Sequence, residues 1–296
     1  MTENEFLLAD RIAKIKSMNE QYDLENRSYI SFSGGKDSTV LHYLIDQALP
    51  GNKIPRVYLN TGIEYKFVVE YVKEMAATDN RIVIVNSGVN IKQMLEEVGY
   101  PFKSKEHSLY LSVYQNSGNT KSVTKYLTRT DNRFACPDNL RYQFTPEFKL
   151  HISNKCCYKL KKDVAEKWRK ENGKEITVTG MRSGEGGLRA GLKGCAIFND
   201  NDLVKFHPLQ PVSEDFINWF VEQNNIKLCK LYYSPYNFER TGCKGCPYAI
   251  NLQEQLDMMA IYIPNERKQC EMIWKPVYEE YRRIGWRLYH NKNLFE

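Results

Sequence analysis

The apolar positions along most of the chain follow two different periods. Residues 4–20 carry apolar side chains at helical spacing with charges between them, which predicts an amphipathic helix. Runs rich in β-branched and aromatic residues predict strands at 28–30, 53–60, 81–85 and 175–180. Helical patterns follow the first two strands, at 39–45 and 65–77. Strands that alternate with helices at this spacing predict an α/β fold with a mostly parallel sheet.

A glycine-rich turn lies between the first predicted strand and the helical pattern that follows it. It reads Ser-Phe-Ser-Gly-Gly-Lys-Asp-Ser at positions 31–38. Adjacent glycines let backbone N–H groups point into one concavity, and the positive end of the following helix faces the same place. The predicted phosphate-binding residues are Ser31, Ser33, Gly34, Gly35, Lys36, Asp37 and Ser38. Lys36 and Asp37 are also candidate catalytic residues.

Two further polar turns follow predicted strands. Their candidate site residues are Thr61, Gly62 and Glu64 in the first turn, and Gly180, Arg182, Glu185 and Arg189 in the second. Because ligands of parallel sheets bind outside the carboxyl ends of the strands, we expect these residues to lie beside the phosphate-binding loop. The forked guanidinium groups of Arg182 and Arg189 suit phosphate or sulfate oxygens, and both are candidate catalytic residues. Glu185 is predicted to orient one of them.

The cysteine spacing indicates a metal centre. Cys156 and Cys157 are adjacent, and Cys243 and Cys246 form a Cys-x2-Cys pair far downstream. Two such pairs can supply the four ligands of one site, and both zinc and a [4Fe–4S] cluster fit this ligand count. Adjacent cysteines favour the cluster, because they reach different irons more easily than they fit one small zinc tetrahedron. The roles of the remaining cysteines stay open, with Cys195 a reserve ligand or sulfur-handling thiol; they are Cys136, Cys195, Cys229 and Cys270.

Composition narrows the setting of these motifs. The chain has 296 residues, of which 42% are hydrophobic and 26% charged, so a packed core is expected rather than disorder. No apolar run is long enough to span a membrane and no signal-peptide layout is seen, so we expect a cytoplasmic protein. Eight cysteines in that setting favour metal or redox chemistry over disulfides. A basic stretch at residues 141–170 mildly favours a nucleic acid as the molecule on which the protein acts.

These motifs resemble those of a known family. The Ser-Gly-Gly-Lys-Asp-Ser turn resembles the PP-loop of the adenine nucleotide α-hydrolase-like superfamily, and the cysteine set resembles the cluster signature of assimilatory APS reductases. The resemblance to the PAPS reductase family runs from about residue 28 to residue 248. It implies a Rossmann-like sheet of the PP-loop (HUP) type that binds an adenine nucleotide, which is ATP or PAPS/APS. It also implies Mg²⁺ and a [4Fe–4S] cluster.

The predicted domain organisation follows from this resemblance. Residues 1–225 are expected to form a PP-loop nucleotide-binding α/β domain. A less regular insertion at about residues 87–150 is expected to cover the nucleotide cleft. Residues 226–296 are expected to form a helical C-terminal region that carries the Cys-x2-Cys pair.

One departure from the family directs the functional prediction. Sulfonucleotide reductases end in a Glu-Cys-Gly segment whose cysteine attacks sulfur, whereas Cys270 lies in different surroundings here. We therefore expect ATP cleavage to AMP and pyrophosphate, which activates tRNA, DNA or a small molecule for sulfur transfer. The alternatives are a PAPS or APS reductase that releases sulfite, and a non-catalytic, cluster-bearing subunit. A cysteine desulfurase or a thioredoxin-like donor is the expected partner, and a homo-oligomer is expected.

Overall fold

Six strands among the described residues form one sheet. The computed structural model describes residues 2–130, 135–185, 191 and 194–289. The strands are β1 (Ser28–Phe32), β2 (Arg56–Asn60), β3 (Ile82–Asn86), β4 (Ile176–Val178), β5 (Ala196–Asn199) and β6 (Asp202–Phe206). Their order is β3-β2-β1-β4-β6-β5, and every neighbouring pair is parallel except β5 with β6. The predicted mostly parallel α/β sheet is confirmed.

The helices alternate with the strands in the first part of the chain and follow one another directly near its end. The α-helices are α1 (Glu3–Tyr22), α2 (Leu24–Arg27), α3 (Lys36–Ala48), α4 (Lys66–Thr78), α5 (Ile91–Val98), α6 (Lys105–Ser117), α7 (Lys121–Thr128), α8 (Asp163–Glu171), α9 (Glu214–Gln223), α10 (Leu252–Tyr262), α11 (Pro264–Ile273) and α12 (Lys275–Ile284). Shorter 3₁₀ segments span Asp138–Phe144, Ser183–Glu185 and Lys230–Tyr232, and a π-helical turn spans Tyr158–Lys162. No helix in the described ranges is both long and apolar enough to cross a membrane.

The described residues group into two compact units. Those of the first unit fall within Met1–Asn60, Glu64–Ser87 and Val164–Thr241. Those of the second fall within Thr61–Ile63, Gly88–Asp163 and Gly242–Glu296. These groups cut across the sequence-based division at residue 225, because residues 88–163 group with the C-terminal helices rather than with the sheet.

The first unit is built around its sheet. One hydrophobic cluster joins strands β1, β4 and β6 to helices α1, α3 and α9, with Ile15, Leu44 and Phe216 fully buried. A second, smaller cluster packs Tyr29 against Trp168. Burying a side chain of this size contributes about 1.5–3 kcal/mol, so these contacts hold α3 firmly on the sheet.

The β5–β6 hairpin is an addition to the predicted topology. Asp200 and Asn201 connect its strands with φ angles of 48° and 68°. Two consecutive residues at positive φ form the turn that matches the twist of a two-residue hairpin, and Asp and Asn tolerate that conformation best. No strand is predicted here from the sequence, because apolar and polar residues do not alternate. In the structure, the adjacent apolar residues Ile197 and Phe198 are both exposed.

The second unit corrects the expectation of an irregular segment at residues 87–150. Regular helices α5, α6 and α7 occupy much of it. Each begins with a capping side chain, from Asn90, Ser104 and Thr120, that accepts a hydrogen bond from a first-turn N–H group. Helices α5 and α7 have only eight residues each, so their apolar period covers little more than two turns, whereas the caps mark where each helix begins. Within residues 226–296, which are predicted to be helical, α10, α11 and α12 follow one another from Leu252 to Ile284.

Candidate functional site

The PP-loop connects β1 to α3 in the first unit. Gly34 has a φ of +69°, and a Cβ atom there would lie 2.7 Å from Cγ2 of Val72 on α4. A Cβ atom on Gly35 would lie 3.1 Å from Oγ1 of Thr241. Gly34 is therefore required by backbone conformation and space, whereas a side chain at Gly35 would be in tight contact with its neighbours.

Hydroxyl groups hold the PP-loop in shape. Oγ of Ser38 accepts from the Ser33 N–H at 3.2 Å and donates to the Gly35 carbonyl at 2.9 Å. The Tyr232 hydroxyl accepts from the Lys36 N–H at 2.9 Å. Hydroxyl groups rotate at little cost, so the loop's N–H groups keep partners that are easily exchanged. Ser31 lies in β1 with an exposed side chain.

Two cations and two carboxylates meet beside the start of α3. Arg182 donates to Oδ1 of Asp37 at 3.1 Å and to Glu214 on α9. Lys36 donates to the same Glu214 and to Oδ1 of Asn218 at 3.1 Å. Burial raises the pKa of Glu214, but its hydrogen bonds and charge pairing with Lys36 and Arg182 outweigh burial, so the pKa lies below its usual value. The carboxylate is therefore ionised at neutral pH.

The backbone of Gly180 touches the start of α3. A Cβ atom on Gly180 would lie 2.9 Å from the carbonyl oxygen of Asp37. The end of β4 therefore runs against the PP-loop, and Arg182 follows two residues later. The structure brings together the loop, Gly180 and Arg182 as the sequence predicts.

Other predicted nucleotide-site residues are placed less completely. Glu64 belongs to the first unit and is buried, whereas Thr61 and Gly62 group with the second unit. Arg189 and the side chain of Glu185 lie outside the described residues. Their predicted roles stay predictions.

Three residues that contact the loop escape the sequence analysis. Glu214 looks like an ordinary acidic residue in the first turn of a helix. Ser213 caps that helix, because its hydroxyl accepts a hydrogen bond from the Phe216 N–H at 3.1 Å. Asn218 stands four residues after Glu214, on the same helix face. Tyr232 carries no local signal at all.

The four predicted metal-binding cysteines all lie in the second unit. Cys156 and Cys157 precede the π-helical turn, with their sulfur atoms 4.0 Å apart. The hydrogen bond to Cys157 and burial raise the pKa of Cys156, and the charges of Cys246 and Cys243 raise it further. The two pairs therefore lie in the same unit, and the charges of Cys243 and Cys246 act on Cys156.

The distances between the sulfur atoms can be compared with those that zinc and a [4Fe–4S] cluster need. No three of these sulfur atoms, all within the described residues, lie within 4.8 Å of one another. A single zinc with Zn–S bonds of about 2.3 Å needs sulfur atoms roughly 3.8 Å apart. A [4Fe–4S] cluster takes each thiolate on a separate iron and tolerates wider spacing. Four thiolates match a [4Fe–4S] cluster in ligand number, whereas the 4.0 Å between the Cys156 and Cys157 sulfur atoms is close to the zinc spacing, so zinc and the cluster both fit these cysteines.

Charge around the cysteines favours thiolates on one side of the set. The hydrogen bond from Cys156 and the charges of nearby lysines together lower the pKa of Cys157 to about 6 against the opposing effect of burial; these are Lys105, Lys161 and Lys162. Burial and the charge of Cys243 raise the pKa of Cys246 to about 12. A metal centre would supply the positive charge that Cys246 lacks.

Aromatic donors from one helix face hold the turn between Cys243 and Cys246. Trp274, Tyr278 and Tyr281 donate to the carbonyls of Lys244, Gly245 and Pro247, in that order. The spacing of four and three residues places the three donors along one side of the α12 segment. The carbonyls are thereby tied to the helix.

Two tight contacts complete this turn. Gly245 has a φ of +60°, and a Cβ atom there would lie 2.7 Å from the sulfur of Cys270. The buried ammonium of Lys244 donates to Gln269 at 2.6 Å and lies 3.5 Å from a carboxylate oxygen of Glu266. The turn therefore has little freedom to rearrange.

The remaining cysteines and His207 have mostly buried positions. Cys136, Cys229 and Cys270 are buried, and burial raises the pKa of Cys270 to about 12. Cys195 is half-buried. His207 is buried with Nδ1 2.7 Å from the Thr179 hydroxyl, and burial followed by the charge of Lys205 lowers its pKa to about 4.

A family model for the phosphoadenosine phosphosulfate reductase domain matches residues 27–136 and 125–249. The chain belongs to this family. The predicted PAPS reductase-like character is therefore confirmed, and the family's members are nucleotide-binding enzymes of the PP-loop superfamily. An uncharacterized protein of Methanocaldococcus jannaschii is 25% identical over 280 residues, which cover 92% of this chain and 56% of that protein. The chain thus spans little more than half the length of that relative.

Solved structures with a similar fold come from several enzyme classes. PAPS reductase of Candida auris has 15% identity and a TM-score of 0.39, and the match covers 69% of this chain and 76% of that one. FMN adenylyltransferase of Candida glabrata has 14% identity and a TM-score of 0.45, over 78% and 63%. The U34-tRNA thiolase NcsA of Methanococcus maripaludis, with its [4Fe–4S] cluster, has 15% identity and a TM-score of 0.41, over 99% and 84%. Identities this low concern the fold and not the reaction.

Proposed function

We propose that this chain is an iron–sulfur enzyme that cleaves ATP to AMP and pyrophosphate and so activates an acceptor for sulfur transfer. The observation that carries the proposal is the contrast between its anion site and its thiols. Lys36 and Arg182 converge beside the N-terminus of α3, where phosphate oxygens are favoured. Cys270, the thiol nearest the C-terminus, is fully buried and its pKa is raised, so it is unsuited to attack sulfur.

The proposed reaction is a displacement at the α-phosphorus of ATP. An acceptor oxygen forms a bond to that phosphorus while the bond to the bridging β-phosphate oxygen breaks, and pyrophosphate leaves. Lys36, Arg182 and the N-terminus of α3 neutralise the charge on the phosphates. Mg²⁺, when bound with the nucleotide, would supply positive charge that offsets the charge of the phosphates. The terminal sulfur of a persulfide, from a donor such as a cysteine desulfurase, then attacks the activated carbon of tRNA, DNA or a small molecule, and the bond from that carbon to the AMP oxygen breaks. A thiol reductant such as a thioredoxin-like dithiol cleaves the resulting disulfide and is itself oxidised, which leaves the sulfur on the acceptor.

Cys156, Cys157, Cys243 and Cys246 would hold the [4Fe–4S] cluster. When bound, the cluster supplies iron that can carry sulfur or electrons. The chain's own part is to keep the thiolates charged near Lys105, Lys161 and Lys162 and to fix the turn between Cys243 and Cys246. Anaerobically purified protein should be brown with about four irons per chain. Cys243→Ser should lose the colour, and stoichiometric zinc without iron would contradict the cluster.

Reduction of PAPS or APS to sulfite is the second candidate. The family match to a phosphoadenosine phosphosulfate reductase domain favours it, and the half-buried Cys195 is the available thiol. In that reaction a cysteine thiolate takes the sulfur from the nucleotide, and a thioredoxin-like dithiol releases sulfite as it is oxidised to a disulfide.

One assay distinguishes these functions. Anaerobic protein should be tested in parallel for pyrophosphate from ATP and for sulfite from PAPS and APS, with candidate acceptors present and absent. We expect acceptor-dependent pyrophosphate release and no sulfite. Thioredoxin-dependent sulfite release that Cys195→Ser or Cys270→Ser abolishes would establish the reductase instead. Nucleotide binding without either product, across all the acceptors, would indicate a non-catalytic subunit.

A further inference from the structure

Glu214 binds both cations of the PP-loop site. Lys36 Nζ donates to its Oε1 atom and Arg182 Nη2 donates to its Oε2 atom. One carboxylate therefore bridges the two groups that would receive phosphate oxygens. Carboxylate and phosphate offer these donors the same kind of charged acceptor.

Exposure separates the members of this ionic group. The Arg182 side chain is 7% exposed and the Lys36 side chain 17%, whereas the Glu214 side chain is 49% exposed. Asp37 stands at the start of α3, beside Gly180. Glu214 is therefore the anion that can swing into solvent, while the cations stay in place.

The formal charges of the group cancel. Among these four described residues, Lys36 and Arg182 are balanced by Asp37 and Glu214. A phosphate that enters this position must take over the hydrogen bonds that Glu214 now accepts.

We propose that Glu214 is an internal counter-anion that nucleotide phosphates displace, and that it thereby sets the affinity and selectivity of the site for polyphosphates. The inference rests on the proposed function, in which this loop binds the phosphates of an adenine nucleotide. A singly charged anion with two oxygens gains little binding free energy by displacing Glu214, because it offers Lys36 and Arg182 the same acceptors as the carboxylate. A polyphosphate gains more, because its additional charges also meet the N-terminus of α3.

The test measures binding of inorganic pyrophosphate and ATP by calorimetry, first in EDTA and then with Mg²⁺. Glu214→Gln removes the competing charge but keeps an acceptor oxygen for Arg182. Asp215→Asn is the matched control, because it removes one charge from the adjacent, exposed position of the same helix turn. Glu214→Asp keeps the charge but is one methylene too short to bridge both cations.

Without Mg²⁺, Glu214→Gln should bind pyrophosphate roughly three- to tenfold more tightly than wild type, the range set by a partly exposed charge pair. Glu214→Asp should also bind pyrophosphate more tightly than wild type. Because this variant keeps the negative charge, tighter binding would show that the contact with both cations matters and not the net charge alone. Asp215→Asn should bind as wild type does. Unchanged or weaker binding by Glu214→Gln would overturn the inference. A loss confined to Mg²⁺-containing solutions would also overturn it and indicate a magnesium ligand instead.

Failure of the inference and failure of the proposed function give different results. If wild type and Lys36→Ala bind ATP equally weakly, the loop is not a nucleotide site and the proposed function fails. If wild type binds ATP and only the Glu214 variants fail to bind more tightly, the nucleotide site stands and the counter-anion role falls. Unfolding curves of each variant confirm that affinities are compared between folded proteins.

Discussion

The PP-loop and the turn between Cys243 and Cys246 are both held in one conformation, but by different kinds of interaction. Each contains a glycine at positive φ whose missing side chain makes room for a neighbour, Val72 for Gly34 and Cys270 for Gly245. The PP-loop is held by rotatable hydroxyls and by ion pairs that include a half-exposed carboxylate. The cysteine turn is held by buried aromatic donors and a buried ion pair.

This difference fits the roles proposed for the two loops, a nucleotide site and a metal site. Exposed ion pairs contribute about 0–1 kcal/mol, so the partners around Lys36 exchange at little cost. A buried carbonyl that loses its donor costs about 1–3 kcal/mol, so the cysteine turn resists rearrangement. A substrate site needs partners that leave, whereas a metal site needs ligands that stay.

Gly245→Ala should break the cysteine turn. The added methyl group would meet the Cys270 sulfur at 2.7 Å and would force alanine into a left-handed conformation. We expect a loss of about 2–4 kcal/mol in the free energy of unfolding, together with loss of bound iron. Gly242→Ala is the control, because nothing lies within 4 Å of its Cβ position. Equal stability of the two variants in urea titrations would contradict this account.

Tyr278→Phe tests the aromatic donors without creating a cavity. It leaves the buried Gly245 carbonyl without the hydroxyl that now donates to it. The free energy of unfolding should fall by about 1–3 kcal/mol. Tyr289→Phe, at a side chain 67% exposed, should change it by less than about 0.5 kcal/mol. If both variants matched wild type, the donors would not be what holds the turn.

Lys36→Ala should reverse this pattern, with a small effect on stability and a large one on binding. Its partner Glu214 is half exposed, so the free energy of unfolding should change by less than about 1 kcal/mol. ATP affinity should fall by roughly ten- to a hundredfold, because a charge-assisted phosphate contact is lost. Lys53→Ala, an exposed lysine, is the control for net charge. Wild-type affinity in Lys36→Ala would remove the phosphate role from this residue.

The pH dependence of the same ion pairs is the smallest expected effect. Burial raises the pKa of Glu214, but Lys36 and Arg182 lower it more, so its folded-state pKa lies below the unfolded value. Its contribution to stability is present above pH about 4.5 and is lost as the pH falls through the folded-state pKa. The difference between wild type and Glu214→Gln should stay under about 1 kcal/mol at neutral pH and shrink below pH 4.5. A difference that grows on acidification would give the opposite sign.

Local signals in the sequence predicted the parts of the fold that depend on neighbours in the chain. The strand, glycine turn and helix around Lys36 are contiguous, and the four cysteines are identified by residue type alone. Glu214 and Tyr232 contact Lys36 across 178 and 196 residues of sequence, so only the folded chain selects them. The β5–β6 hairpin carried a usable signal in Asp200 and Asn201, which favour its turn.

The grouping of residues into two units was beyond local patterns for a similar reason. Residues 88–163 follow the third strand directly and so look like an insertion into the sheet domain. Their packing partners are instead supplied by the last helices of the chain. For example, Tyr281 packs its ring 4.6 Å from that of Phe102 and accepts from the Lys103 N–H at 2.7 Å. Amphipathic helices reveal that they need a partner, but not which one.

The contact between Gly180 and Asp37 has a mechanical consequence. Because the two backbones pack directly against each other with no side chain between them, neither the segment after β4 nor the start of α3 can approach the other more closely. Arg182 and Lys36 lie within two residues of this contact in the chain. The distance between their Cα atoms is therefore constrained when an anion enters. Adjustment to anions of different length must then come from side-chain rotation, and the half-exposed carboxylate of Glu214 is the part that can turn aside.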